Sequence, residues 1–373
     1  MNKIKKLFSI FLIGIFFPAV SISQTIQWKS GNSTSGDEDS GTITWTMTAA
    51  SYSGSCDPCN VQVSVKNSST STSSSDYSYF GTKTITITAN GDYTVQFTLL
   101  DDNIDEDSET FILRMNPDGL SMASGESADL TYTIGDNDAQ PTINVQDASK
   151  TVSEDAGSVR LYVTRDRPSQ RSTQPSFDVS VGGTATGGGT DYNALSPTTY
   201  TFTASSSGLT DYFDITIQDD NIDEDSETII FTIDGSNATN GSALVTTLTI
   251  NDNDAAPTID FSAATGSASE GNSGTSAKTA QVTLSAVSGK DVSANYTVGG
   301  TSTGGGTDHS AAAGTVNISA GQQTANISFN LVGETTYELD ETIILTLASA
   351  TNASVSGQTT HTYTITNDDS APT

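Results

Sequence analysis

The sequence predicts an all-β protein, a tandem row of three antiparallel β-sandwiches behind a signal peptide, and three observations predict it. Apolar residues alternate with Thr and Ser over short stretches such as Val95, Phe97 and Leu99, and beyond the leader no window carries a helical period. The segment DDNIDEDSET starts at Asp101 and recurs unchanged 118 residues later at Asp219, with a degraded copy, GETTYELDET, starting at Gly333. Hydrophobic content is only 34%, yet Thr and Ser abound and Gly reaches 32, which fits half-buried strands joined by turns better than helices. At 373 residues the chain has room for two to four domains.

The first element is the leader. Lys3, Lys5 and Lys6 precede an apolar run from Leu7 to Val20, and Ser21-Ile22-Ser23 supplies small residues for cleavage after Ser23. The run is shorter than the roughly 20 residues that span a bilayer, so residues 1–23 read as an export signal rather than an anchor. No Cys follows for a lipid anchor, and no later segment is apolar enough to cross a membrane. The protein is therefore expected outside the cell or at its surface, where a disulfide is permitted. Its only cysteines, Cys56 and Cys59, lie between turn and strand patterns, not at a helix start as a redox C-x-x-C would. A local staple across a turn is the expectation, since two thiolates leave a zinc site half built.

The repeat sets the domain limits. Each acidic segment is followed about 25 residues later by an acidic close: Asp136-Asn137-Asp138, Asp252-Asn253-Asp254 and Asn367-Asp368-Asp369. A Gly-rich stretch starting at Val181 returns at Val298, and it reads as a flexible strand connection. Periods of 114–118 residues exceed the roughly 20–50 of solenoids, so whole domains are repeated, over 24–138, 139–254 and 255–369. Alternation surrounds each acidic segment: Phe213, Ile215 and Ile217 before the second, Ile327, Phe329 and Leu331 before the third, Phe111, Leu113 and Met115 after the first. About seven such strands per 115 residues make a two-sheet sandwich.

Charge is the other strong signal. The 44 acidic against 14 basic side chains give −30, and loss of the leader lysines takes the mature chain to −33. That balance disfavours nucleic acid and anionic membrane surfaces, which need Lys and Arg. Six carboxylates fall within residues 101–109, and the same order returns in the second repeat. Crowded carboxylates repel unless a cation neutralises them, and an all-oxygen set without His or Cys selects Ca²⁺ over softer metals. An EF-hand does not fit, because Glu106 falls where that loop needs Gly and Ile112 where it needs the bidentate Glu.

A strand ending in Asp-Asp-x-Ile-x-Glu-x-x-Glu, a later strand ending in Ile-x-Asp-x-Asp, and an early Glu-Asp-x-Gly (Glu38-Asp39-Ser40-Gly41 and Glu154-Asp155-Ala156-Gly157) resemble the Calx-beta domain in all three repeats. The resemblance implies an immunoglobulin-like sandwich that binds several Ca²⁺ at one end, as in sodium–calcium exchangers, integrin subunits and large secreted bacterial proteins; the secreted bacterial type is expected here. Carried over by position, the first repeat's ligands are Glu38, Asp76, Asp101, Asp102, the carbonyl of Ile104, Glu106, Glu109, Asp136 and Asp138. The second repeat's are Glu154, Asp191, Asp219, Asp220, the carbonyl of Ile222, Glu224, Glu227, Asp252 and Asp254. The third keeps Glu270, Asp308, Glu334, Glu338, Glu341 and Asp369. There Gly333, Thr336 and Asn367 depart from the pattern, so fewer ions or none are expected.

An enzyme is the rival class. The two histidines, His309 and His361, both fall in the degraded repeat, with His309 expected on a surface loop and His361 on a strand, and no nucleophile motif stands out. Duplicated carboxylates suit a repeated ion site better than glycoside chemistry. The expected partners are Ca²⁺ and, on an adhesion or surface-stalk reading, cell-surface proteins or glycans. The alternative is an inert spacer that carries an enzyme or sorting module, because Ser370-Ala371-Pro372-Thr373 matches the openings at Ala139 and Ala255 and reads as the start of a further linker or domain.

Overall fold

The computed structural model describes residues 24–54, 56, 58–66, 76–78, 81–203 and 208–373; the expected signal peptide lies outside them. The described residues fall into two compact units. One takes those of Met1–Pro141, Arg167–Gln174 and Thr203–Gly208, the other Thr142–Asp166, Pro175–Phe202 and Leu209–Thr373.

In the first unit, Gly91–Thr98, Thr42–Ala50, Thr25–Trp28 and Ser121–Met122 form a four-stranded sheet in that order. Ser35–Asp37, Asp129–Gly135, Glu109–Asp118, Cys59–Val65 and Lys83–Ile87 form a five-stranded one. Period-two alternation turns Trp45, Met47, Val95 and Phe97 inward from one sheet and Val61, Val63, Phe111, Leu113 and Tyr132 from the other. Trp45 centres this core, with the rings of Trp28, Phe97 and Tyr132 at 5.6, 5.3 and 5.8 Å. Each such pair adds about 0.5–1.5 kcal/mol beyond area burial. The expected staple is present: a Cys56–Cys59 disulfide opens the strand Cys59–Val65.

The second unit holds two further copies. In the second repeat the four-stranded sheet is Thr210–Thr216, Ser158–Arg165, Thr142–Val145 and Thr239–Asn240, and the five-stranded one is Ser149–Ser153, Val245–Asn251, Glu227–Ser236, Ser176–Gly183 and Thr199–Thr201. In the third they are Thr324–Val332, Thr275–Leu284, Thr258–Phe261 and Ser354–Val355, then Thr265–Ser269, Thr360–Thr366, Glu341–Thr351, Val292–Gly300 and Gly314–Ile318. Each repeat thus has nine described strands instead of about seven, the surplus being short edge strands such as Ser121–Met122 that carry too few residues to show a period. Among the described residues no helix is long and apolar enough to cross a membrane.

Two expectations change. The Gly-rich stretch is not simply a flexible connection: Gly182 and Gly183 end one strand and Gly299 and Gly300 another. Gly183 (φ +116°) and Gly300 (φ +123°) let the backbone approach the carbonyls of Thr228 and Thr342 so closely that a Cβ would collide with them. His309 is not a surface side chain either. It bridges Leu331, is 3% exposed, and its Nδ1 accepts the Ala311 amide at 3.0 Å. Burial lowers its pKa, so it is a neutral packing residue in the place of Tyr77 and Tyr192.

Candidate metal centre

Sheet register brings chain-distant acids to one end of each sandwich. Glu109, Glu227 and Glu341 each open a strand opposite Ile134, Ile250 and Ile365, the isoleucines that run into the closing acids. Asp37, Ser153 and Ser269 end edge strands opposite Gly135, Asn251 and Thr366, which sets the following Glu38, Glu154 and Glu270 beside the same closing acids. Bridges Tyr77–Leu99, Tyr192–Ile217 and His309–Leu331 anchor Asp76, Asp191 and Asp308 where the strand before the acidic segment ends.

The acidic segment turns the same way in every repeat. The amides of Ile104 and Ile222 donate to Asp102 and Asp220 at 2.7 Å, and that of Thr336 donates to Glu334 at 2.6 Å, each bond joining residues two apart. Such side-chain-to-backbone bonds fix a tight turn. The closing acids curl likewise, with Asp138 and Asp254 amides donating to Asp136 and Asp252 at 3.0 Å.

The outcome is a set of oxygen clusters. Potential ligand atoms lie within 4.8 Å of one another in Glu38–Asp102–Asp138 and in Glu154–Asp252–Asp254. The third repeat brings together Glu270–Glu334–Glu338, Glu270–Asp368–Asp369 and Asp308–Glu338–Glu341, despite its departures from the motif. Asp191, Glu224, Glu227 and Asp252 line one small cleft with Glu154. Asp101 and Asp219 stand apart, exposed and accepting the Asn137 and Asn253 side-chain amides at 3.2 Å. Gly333 stands at the counterpart position, where a Cβ would strike the Gly271 carbonyl.

Without a cation, burial and mutual repulsion oppose ionisation of these groups together. Burial, then repulsion from Glu106, Asp102, Asp136 and Asp138, pushes Glu38 up to about 8. Burial and neighbouring carboxylates push Glu106, Glu154 and Glu270 up to about 7 and raise Glu224. Glu109, Glu227 and Glu341 rise too, through burial and then a hydrogen bond with Asp76, Asp191 or Asp308. Among the described residues, no hydrogen-bond donor reaches the buried oxygens of Asp138, Asp254, Asp369, Glu270 and Glu334. Orphaned acceptors, raised carboxylates and an all-oxygen donor set together fit Ca²⁺.

Sequence spacing did not separate one acid of each of the first two segments, Asp105 and Asp223, from the rest. Asp105, fully buried, accepts Ser169 Oγ at 2.9 Å and Arg171 Nε, and Arg171 also reaches Asp136 at 3.0 Å. In the second unit Asp223, 6% exposed, accepts Lys290 Nζ at 2.7 Å and Ser288 Oγ at 3.3 Å. Their counterpart in the third repeat is Tyr337, 45% exposed. Asp368 was missed as well, because only Asp369 matches the motif's closing acid.

The Calx-beta domain model matches residues 35–135, 136–254 and 252–370. Comparison with curated protein sequences finds no match. Among solved structures, CBD12 from CALX1.2 is 17% identical, covering 60% of this chain and 99% of its own, at a TM-score of 0.28. The apo-form Calx CBD1 domain is 19% identical, covering 31% of this chain and 100% of its own, at 0.27. The human Desmocollin-1 ectodomain is 11% identical over 93% of this chain and 62% of its own, at 0.26.

Proposed function

The chain belongs to the Calx-beta domain family, and from that premise we propose that it is an exported Ca²⁺-binding array, the acidic pole of each repeat holding the ions and stiffening the chain for an adhesion or surface-stalk role. The family match indicates binding or structural modules and no catalytic family. The observation that carries the reading is the convergence, in all three repeats, of raised and partly orphaned carboxylates at one sheet end. Bound Ca²⁺ supplies the positive charge that lets those carboxylates ionise together. Glu38, Glu154 and Glu270 tie the edge strand to the closing acids, and Glu109, Glu227 and Glu341 tie the central strand to them. Asp138 and Asp254 stand three residues before Pro141 and Pro257, so holding them restrains the chain at the proposed repeat limits 24–138, 139–254 and 255–369.

Isothermal titration of the chain without its leader tests this. Several Ca²⁺ should bind, with Glu154→Gln and Glu227→Gln together weakening part of the set about tenfold or more. The absence of both binding heat and thermal stabilisation by Ca²⁺ would return the protein to the inert-spacer reading.

A further inference from the structure

We propose that Asp223, Ser288 and Lys290 form a metal-independent clamp that holds the third repeat to the second when the acidic pole carries no ion, and that Asp105, Ser169 and Arg171 build the same device in the first unit. The clamp acids stand outside the proposed ligand set, so the inference does not rest on the calcium reading.

Each clamp satisfies a buried carboxylate entirely with protein groups. Asp223 Oδ1 accepts Lys290 Nζ at 2.7 Å and Oδ2 accepts Ser288 Oγ at 3.3 Å. The Gly289 amide donates to the Asp223 carbonyl at 3.0 Å, closing a parallel bridge between Asp223 and Ser288. Ser288 is 1% exposed, and its Oγ also accepts the Lys290 amide at 3.0 Å, which orients the hydroxyl and the cation as one piece. In the first unit the Gln170 amide donates to the Asp105 carbonyl at 2.9 Å, and Asp105 and Ser169 bridge in the same parallel sense. A carboxylate this buried is stable only when paired and hydrogen-bonded, so the loop carrying Ser-x-cation cannot leave without stranding it.

The recurrence identifies what matters. Ser169-Gln170-Arg171 and Ser288-Gly289-Lys290 share the hydroxyl and the positive charge, while the middle residue and the kind of cation differ. Arg171 and Lys290 also approach the closing acids Asp136 and Asp252, at 3.0 and 3.9 Å, so each clamp neutralises part of the pole without metal.

Hydrogen exchange on the full chain in EDTA, with a Ca²⁺-loaded sample beside it, tests the clamp. The Ser288–Lys290 amides should be protected in the metal-free wild type, and Lys290→Gln should speed their exchange about tenfold or more. Lys290→Arg should keep the protection, and the strand Glu341–Thr351 should stay protected in every variant. If the wild-type segment exchanges freely in EDTA and is protected only by Ca²⁺, the clamp is overturned while the calcium reading stands. If Lys290→Gln exchanges at the wild-type rate in EDTA, the clamp is also overturned. Should Lys290→Gln expose Glu341–Thr351, the reversed pair Asp223→Lys with Lys290→Asp decides: recovery of protection supports the clamp, and no recovery rejects it.

Discussion

Glu38 concentrates the chemistry of the pole in one side chain. It sits in a single 3-10 turn, 5% exposed, facing Asp102 and Asp138, and its carboxyl is pushed up to about 8. Glu106, Glu154 and Glu270 follow at about 7, against an ordinary value of 4.5. A pH dependence of stability follows. The unfolded chain releases these protons near 4.5 and the metal-free folded chain near 7–8, so the fold holds the extra protons between those limits. Stability from these groups is full below about 4.5 and is lost as pH rises through 7 and 8. Thermal melts in EDTA should therefore show a falling transition temperature from pH 5 to pH 8, with saturating Ca²⁺ removing most of the fall. A metal-free transition that rises over that range would contradict the assignment.

At the scale of elements, the glycine pair that ends a strand in each of the last two repeats decides how closely two strands meet. Gly183 has φ +116° and no room for a Cβ against the Thr228 carbonyl, whereas a Cβ on Gly182 meets nothing within 4 Å. Gly183→Ala should cost about 2 kcal/mol or more through backbone strain and the collision, and Gly182→Ala within about 0.5 kcal/mol. Urea midpoints of the two variants check this, and equal shifts would show that the approach is not a constraint. Much of this scale was legible: alternating Val95, Phe97 and Leu99 signalled a strand, and its apolar positions are buried. The short edge strands were not, since two residues such as Ser121 and Met122 have no period to read. Nor was the burial of His309, which depends on the bridge to Leu331 rather than on its polar neighbours.

Across the whole molecule, a net charge of −30 sets up self-repulsion that salt screens. Raising the ionic strength from about 0.01 to about 0.15 M should stabilise the metal-free chain and affect the Ca²⁺-loaded chain much less. Melts at both salt levels check this, and equal gains in the two states would mean the charge is not held at the poles. Sequence alone determined the all-β class, the threefold repeat and the Calx-beta kinship, and it marked the acidic runs, because alternation, spacing and residue type are properties of the chain itself. Only the tertiary structure divided those acids by task. Asp105 and Glu106 are neighbours in one run, yet Asp105 is buried against Ser169 and Arg171 while Glu106 faces the carboxylates of the pole. Which way a side chain leaves a turn, and what lies in front of it, is set by packing against residues some 65 positions away, and no local pattern records that.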